Sequence, residues 1–244
     1  MAASTRNFDD TLILAVETSG RLGSIAFGKG RQLLDERQFS GPMRHSAEIF
    51  PAIMELLGRF DKKPEQIEQV YISAGPGSFT GLRIAVTFAK TLALANSAKI
   101  VAVDTLDCIA ANVTQWDKYE RLGVILDAKR GQFFVAVYEQ TPDSRPKTQD
   151  IAFKKILPDS LMTAEAFTAQ FADRPIAVTG EGLVFYKDMF ANENIHVFDE
   201  RLWNPSAANV YKLGLELAEK DQFADPLTLT PNYVRGPDVT VKQR

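Results

Sequence analysis

A pattern of apolar strand, acidic residue, glycine-containing turn and returning strand occurs twice in this chain, and it constrains the fold more than any other feature. The first copy begins with the apolar run 11–16 and reaches Glu17. The second begins with 122–126 and reaches Asp127. Chance can also place an acid and a glycine after a short apolar strand. Recurrence of the whole order nevertheless favours a duplicated α/β protein with two related halves.

Alternating helices and strands follow each copy of this pattern. A third strand is predicted over 32–39, and hydrophobic residues at helical spacing predict a helix over 46–60 that Ser46 caps. A buried strand over 69–74 and a helix over 82–95 come next. The remaining predicted helices cover 106–116, with Thr105 as cap, 164–171, 183–189 and a segment starting at Asn204 and Pro205, and the remaining strands cover 99–103, 150–155, 176–179 and 196–198.

The two copies divide the chain into three parts. We expect residues 1–104 to form an N-terminal half and residues 105–204 a C-terminal half. Residues 205–244 are expected to form a C-terminal helix and tail that pack back on the N-terminal half. The polar, proline-containing segment 141–147 lies inside the second half and is predicted to be a loop.

Composition limits the classes of function that fit the chain. It has 244 residues, is 45% hydrophobic and carries a net charge of −3, so no overall positive field draws it to nucleic acid or to an anionic membrane. A single cysteine, Cys108, excludes an internal disulfide and, with only two histidines, argues against a structural zinc site. No apolar run approaches the roughly 20 residues that a membrane helix needs, so we expect a cytoplasmic protein with no membrane contact.

The loop GPGSFTG, residues 75–81, joins a predicted buried strand to a predicted helix. Backbone N–H groups and the helix dipole can bind an anion at such a place. The loop lacks the Gly-Lys-Ser/Thr of a P-loop and misses the dinucleotide fingerprint by one residue, so a tight structural turn is the competing interpretation. The candidate nucleotide or anion residues are Glu17, Thr18, Ser19, Gly75, Gly77, Ser78, Thr80, Gly81, Asp127 and Arg130.

Residues that would mark an enzyme do not form a complete set. Ser78 has Pro76 and Thr80 where a nucleophile elbow needs glycines. His45 is followed four residues later by Ile49 rather than by a second histidine, so it does not open a helical metal pair. We therefore predict no catalytic residue and no metal ligand in this chain.

The segment 82–95 is apolar on almost every side. Its only charged residues are Arg83 and Lys90, seven positions apart and hence on one face. A helix on a sheet normally shows water a polar face, so this composition predicts burial on a second side, by a partner or by another part of the chain. The predicted partner-interface residues are His45, Ile49, Phe50, Ile53, Leu57, Leu82, Ala85, Val86, Ala89, Lys90 and Ala93.

Five segments resemble the TsaB (YeaZ) family, whose members take part in making threonylcarbamoyladenosine in tRNA. They are LAVETS (14–19), HSAEIFPAI (45–53), SAGPGSFTGLRIA (73–85), VAVDTLD (101–107) and ILDAKRGQFFVAVYE (125–139). The later part resembles the family in element order and in the closing PNYVR (231–235). The resemblance implies an ASKHA (actin-like ATPase) α/β fold with two RNase H-like halves and mixed sheets.

The resemblance also implies a role and partners. It implies a non-catalytic accessory subunit that forms a heterodimer with the catalytic subunit TsaD, works with the ATPase TsaE, and pairs with itself in isolation. The helices matching 46–60 and 80–95 would form the partner bundle. tRNA would be reached through the complex, the chain would need no cofactor of its own, and ATP or ADP would bind at the complex interface.

Two other functions stay open from the residues. One is a nucleotide-dependent small-molecule kinase or ATPase of the same fold, with Glu17 and Asp127 holding Mg²⁺ or orienting water. The other is a self-contained homodimeric binding protein that uses the same apolar helices.

Overall fold

Two five-stranded mixed sheets form the frame of the protein in a computed structural model, which describes residues 8–114, 119–140 and 153–235. The first sheet has the order β3-β2-β1-β4-β5, and the second has the order β8-β7-β6-β9-β10. The strands of the first sheet are β1 (Leu12–Glu17), β2 (Ser24–Lys29), β3 (Gln32–Gln38), β4 (Gln69–Gly75) and β5 (Lys99–Asp104). Those of the second are β6 (Arg121–Asp127), β7 (Phe133–Gln140), β8 (Phe153–Met162), β9 (Ile176–Thr179) and β10 (Ile195–Val197).

The two sheets share order and strand direction. In each, the first strand is antiparallel to the second and parallel to the fourth. Glu17 pairs with Ser24 and Asp127 pairs with Phe133, so each acid ends the first strand at the same point of its hairpin. This identity of topology confirms the predicted two-half α/β fold.

Six α-helices lie on these sheets in the described part of the chain. They are α1 (His45–Gly58), α2 (Phe79–Asn96), α3 (Thr105–Ala110), α4 (Ala164–Phe171), α5 (Leu183–Tyr186) and α6 (Ala207–Glu219). Short 3-10 helices cover Phe8–Asp10, Pro64–Gln66, Lys187–Phe190 and Glu200–Leu202. None of these helices combines the length and apolar character needed to cross a membrane.

Helices α1 and α2 cover one face of the first sheet, and α6 covers the other. Leu14, Val16 and Ile72 face α1 and α2. Ile13 and Ala15 alternate with them and pack with Val210 and Tyr211 of α6. The alternation follows from the two-residue period of a strand, and the unbroken apolar runs of β1 and β4 reflect burial on both faces.

Several predicted helix boundaries were wrong. Helix α1 starts at His45 and follows Arg44, so Ser46 is not its cap. Helix α3 ends at Ala110, because the chain turns and the Asn112 side-chain amide donates to the carbonyls of Leu202 and Asn204. Helix α6 starts after Ser206, whose Oγ accepts from the Asn209 N–H at 3.2 Å. The end of α3 thus depends on contacts with residues about 90 positions away, whereas the start of α6 is set by a local cap that lies just after the predicted one.

Two other predictions differ from the structure, and two cannot be compared with it. Asp104, not Thr105, precedes the first residue of α3. The helix predicted over 183–189 divides into α5 and the 3-10 helix Lys187–Phe190. The loop predicted over 141–147 and the start of the strand predicted over 150–155 lie outside the described residues.

Candidate functional site

A cleft of about 600 Å³ opens between the two halves. Its volume is in the range of small-molecule sites in proteins. The lining comes from the β1–β2 turn, the start of α2, the β6–β7 turn, the segment after β9 and the last described residues. It consists of Gly20, Arg21, Met43, Pro76, Gly77, Ser78, Phe79, Leu82, Leu126, Asp127, Ala128, Lys129, Phe134, Glu181, Phe185, Asn232, Tyr233, Val234 and Arg235.

Glu17 is fully buried beside this cleft and is bound by its own loop. One carboxylate oxygen accepts from the N–H and the hydroxyl of Ser19, each at 2.5 Å, and from the Gly20 N–H at 3.2 Å. The other accepts from the Ser73 hydroxyl. Burial raises the pKa of Glu17, and these hydrogen bonds oppose the rise. Two N–H groups of the β1–β2 turn therefore donate to a carboxylate of the chain itself. In an anion-binding turn, such N–H groups would be available to a ligand.

The GPGSFTG segment is tied equally closely to the β1–β2 turn. The Ser78 N–H donates to the Ser19 carbonyl at 2.7 Å, and the Ser78 hydroxyl accepts from the Gly81 N–H, capping α2. The Thr18 hydroxyl donates to the Gly81 carbonyl at 2.8 Å. These contacts are those of a tight joint between β4 and α2.

The predicted nucleotide or anion residues divide into two groups. Gly77, Ser78 and Asp127 line the cleft. The Asp127 carboxylate already accepts from the Lys129 N–H and ammonium group, at 2.7 and 2.6 Å. The others lie behind the cleft or outside its lining: Glu17, Thr18, Ser19, Gly75, Thr80, Gly81 and Arg130.

Sequence reasoning missed the groups that connect the two halves across this cleft. The Arg21 N–H donates to a Glu181 carboxylate oxygen at 2.8 Å, and the Arg21 guanidinium lies 4.7 Å from the ring centroid of Phe185. Burial raises the pKa of Glu181 to about 7. Arg21 and Glu181 are 160 positions apart, so no local pattern could have joined them.

The closing PNYVR segment bridges the halves at a second place. The Asn232 N–H donates to the Ala74 carbonyl at 2.7 Å on the first half. The Arg235 guanidinium donates to the Ala128 carbonyl at 2.7 Å and to the Gln132 side chain on the second half. The Tyr233 ring lies 5.4 Å from that of Phe79. Its place in the family-like motif was the only sequence signal that pointed to this segment.

Most residues predicted to contact a partner are buried in the chain's own core, which corrects that prediction. The stripe at positions i, i+3 and i+4 of α1 and α2 faces the first sheet, because both helices lie flat on it. His45 is also buried: its Nε2–H donates to the Gly20 carbonyl at 3.0 Å, and burial lowers its pKa. The corrected residues are His45, Ile49, Ile53, Leu57, Leu82, Ala85, Val86 and Ala89.

Another set of residues faces outward on the same two helices. Phe50 is 62% exposed, Met54 58% and Leu94 79%. Thr87 and Thr91 are exposed between them, Lys90 and Ala93 are partly exposed, and the rings of Phe50 and Phe88 meet edge-on at 5.9 Å, joining α1 to α2. We call Phe50, Met54, Thr87, Thr91 and Leu94 the α1–α2 face. Of the predicted interface residues, Phe50, Lys90 and Ala93 are the ones accessible here.

The groups with the chemistry of a nucleophile or a base are buried or hydrogen-bonded within the fold. Cys108 is buried, and burial raises its pKa well above the ordinary value, so the thiolate is disfavoured. The Ser78 hydroxyl caps a helix and the His45 ring is tied to a carbonyl. Over the described ranges, no three His, Cys, Asp or Glu side chains are grouped to hold a metal ion.

Comparison with known proteins places the chain among proteins of tRNA modification. A family model described as TsaD, tRNA N6-adenosine threonylcarbamoyltransferase, matches residues 42–220. The Bacillus subtilis tRNA threonylcarbamoyladenosine biosynthesis protein TsaB is 29% identical over 94% of this chain and 96% of that protein. The Haemophilus influenzae TsaB is 23% identical over 95% and 96%.

A solved structure supports the fold. YeaZ from Pseudomonas aeruginosa superposes with a TM-score of 0.76 at 19% identity, over 91% of this chain and 99% of that one. The family model covers well over half of the sequence. The chain therefore belongs to the family described as TsaD, tRNA N6-adenosine threonylcarbamoyltransferase, and along its length it is a member of the TsaB (YeaZ) group.

Proposed function

We propose that the chain is a non-catalytic accessory subunit in threonylcarbamoyladenosine biosynthesis, and that it docks on a catalytic TsaD-type subunit. Its relatives named TsaB are tRNA threonylcarbamoyladenosine biosynthesis proteins. The observation that carries the docking proposal is the outward-facing α1–α2 face. This surface is where the chain exposes large apolar side chains on two adjacent, well-packed helices.

The α1–α2 face has the physical character of an interface core. Scattered exposed apolar residues are ordinary, but a group on neighbouring helices is typical of a protein-binding surface. Phe50, Met54 and Leu94 would lose unfavourable contact with water on docking. Ile49, Ile53, Ala85 and Ala89 lie underneath and fix the two helices on the first sheet. The partner would therefore meet a rigid platform, which lowers the entropy cost of association.

The accessory role is supported by how the chain uses its polar groups. Glu17 is held by its own turn, Ser78 caps α2, and Cys108 is buried. We infer that the transfer chemistry belongs to the partner. We also propose that the chain acts in the cytoplasm with a TsaE-type ATPase, that ATP or ADP binds at the complex interface, and that a second copy occupies the α1–α2 face in isolation.

The docking proposal is tested by placing a charge on the face. Met54→Glu should prevent co-purification with a co-expressed TsaD-type subunit, because the carboxylate would be desolvated without a partner. Met189→Glu is the matched control, since Met189 is a methionine on the second half, 42% exposed and away from both helices. Size-exclusion chromatography reports complex formation, and circular dichroism reports folding.

Three results would count against this proposal. If neither the wild-type chain nor the control forms the heterodimer, the chain does not pair with a TsaD-type subunit. If Met54→Glu and Met189→Glu weaken the complex equally, the contact lies elsewhere. If only the homodimer responds to Met54→Glu, the face serves self-association and the homodimeric alternative is favoured.

A further inference from the structure

Three arginine side chains around the interlobe cleft form no ion pair within 4.0 Å among the described residues, although the charge of Arg21 is close enough to Glu181 to interact with it. Arg21 and Arg83 lie over aromatic rings, and Arg235 donates to the Ala128 carbonyl and the Gln132 amide oxygen. Elsewhere in the described chain, seven arginines each lie within 3.2 Å of a carboxylate: Arg31, Arg37, Arg44, Arg59, Arg121, Arg174 and Arg201. The cleft thus concentrates guanidinium groups that no direct ion pair with a carboxylate occupies, so they can contact a ligand.

Aromatic rings accompany these arginines on both sides of the cleft. The Arg83 guanidinium lies 3.7 Å from the ring centroid of Phe79, and its Nε–H donates to the Tyr233 hydroxyl at 3.2 Å. Phe185 and Arg21 form the corresponding pair on the opposite side. Phe79 is 43% exposed and Phe185 is 65% exposed, so both rings have surface available for stacking.

The local charge is positive although the chain carries −3 overall. Arg21, Lys129 and Arg235 line the cleft together with two acids. Of these acids, Asp127 is paired with Lys129, and Glu181 is bound by a backbone N–H. The excess of cations favours a ligand that carries negative charge.

The turns beside the cleft are poorly suited to a polyphosphate. The Ser19 and Gly20 N–H groups donate to Glu17. The Ser78 N–H donates to the Ser19 carbonyl, and the Lys129 N–H donates to Asp127. These four amides already have acceptors within the chain, so the arginine side chains are the donors that we assign to the ligand. Arginines for phosphates and exposed aromatic rings for bases are the combination with which proteins hold single-stranded nucleic acid.

We propose that this cleft binds unpaired nucleotides of an RNA, with bases on Phe79 and Phe185 and phosphates on Arg21, Arg83 and Arg235. The inference rests on the proposed function for the identity of that RNA, the tRNA substrate of the complex. A base bearing a phosphate is also found in a free nucleotide, so the two sources have to be separated by experiment. The α1–α2 face is a different surface, and both contacts can coexist.

The test measures binding of the full chain to a fluorescein-labelled single-stranded RNA of about 10 nucleotides by fluorescence anisotropy. Arg21→Ala and Phe185→Ala should each weaken binding about tenfold, because a stacked base or a phosphate contact is lost. Arg31→Ala should leave the affinity unchanged. Arg31 also lies over a ring, that of Phe8, but it pairs with Asp9 and Glu219 at the β2–β3 end of the sheet.

Neither substitution removes a hydrogen bond that ties the two halves together. The bond from Arg21 to Glu181 uses the backbone N–H, which the substitution keeps, and Phe185 is largely exposed. AMP provides the second arm of the experiment. Displacement of the RNA by AMP at similar affinity would assign the cleft to a free nucleotide and overturn the RNA assignment.

The remaining outcomes are decisive in the same way. Equal affinities for the wild-type chain, Arg21→Ala and Phe185→Ala would place any RNA contact elsewhere and refute the inference. Absence of RNA binding by a chain that still forms the TsaD-type heterodimer would refute it while leaving the proposed function intact. If the chain forms no heterodimer but still binds RNA through the cleft, the proposed function is refuted and RNA binding by the cleft is kept.

Discussion

Replacing Gly81 by alanine tests whether the GPGSFTG segment is a structural joint. A Cβ at Gly81 would overlap the carbonyl oxygen of Thr18, far inside the 3.0 Å that Cβ atoms normally keep. This oxygen belongs to the backbone of the turn that follows β1, so it cannot rotate away as a side chain would. The start of α2 and the β1–β2 turn would have to separate.

The cost follows from the contacts that this separation disturbs. Forcing an extra carbon into a packed site costs about 1–3 kcal/mol. The hydrogen bond from the Thr18 hydroxyl to the Gly81 carbonyl, 2.8 Å long, contributes about 1 kcal/mol. Alanine recovers roughly 0.5 kcal/mol through helix propensity. We expect a net loss of about 2–3 kcal/mol, which lowers the Tm of a chain of this size by roughly 4–12 °C.

Gly58→Ala is the matched control for this substitution. Gly58 is the last residue of α1, and a Cβ there would meet nothing within 4 Å. The same chemical change should therefore stabilise the chain slightly, by up to about 1 kcal/mol. Thermal and guanidinium unfolding, followed by far-ultraviolet circular dichroism, would measure both variants. A Gly81→Ala protein within 0.5 kcal/mol of wild type, a limit of about the error of such measurements, would refute the tight-joint interpretation.

Three further predictions concern the docking face and two buried acids. Phe50→Ala should weaken binding to the TsaD-type subunit about 100-fold in calorimetric titration, because roughly 120 Å² of ring surface at about 25 cal/mol per Å² gives about 3 kcal/mol; an unchanged Kd would exclude Phe50 from the interface. For Glu181, whose pKa rises from 4.5 to about 7 on folding, the folded chain retains a proton that the unfolded chain has lost, so stability falls as pH rises through this range. Glu181→Gln should remove this pH-dependent loss of stability, which is at most about 3 kcal/mol. Burial also raises the pKa of Asp159 to about 6, but this contribution is the same in both proteins and cancels when the variant is compared with wild type. Identical pH profiles of stability for the two proteins would contradict the prediction. Ser73→Ala removes a donor to buried Glu17 and should cost about 1–3 kcal/mol, and the loss should grow as rising pH ionises the carboxylate, since only the ionised form needs the bond strongly; a loss that does not change with pH in guanidinium unfolding would contradict the assignment.

Sequence reasoning predicted the strands and the duplication well because both depend on short-range information. An apolar run such as that of β1 or β6 is buried on both faces, and the acid and glycine that follow it mark its end. Strand β9 and helix α4 have the bounds that their hydrophobic periods predict. The end of α3 was wrong because Asn112 is held by carbonyls about 90 residues away.

The helical face shows where sequence reasoning stops. The composition of 82–95 correctly indicated that α2 is apolar on more than one side. It did not indicate which side the first sheet covers, because that depends on where the sheet lies relative to the helix axis. Ala85 and Ala89, two predicted interface residues four positions apart, face the sheet, whereas Phe50, Met54 and Leu94 face outward.

The chain's sequence by itself determined two α/β halves, the acid at the end of each first strand, and a family resemblance centred on GPGSFTG. Local periodicity and turn chemistry suffice for these features. Only the tertiary structure decided that Glu17 binds its own turn, and that Arg21, Phe185 and Tyr233 meet around one cleft. Residues so distant in sequence become neighbours only when the two halves pack together, so the local sequence patterns of either half cannot predict the cleft.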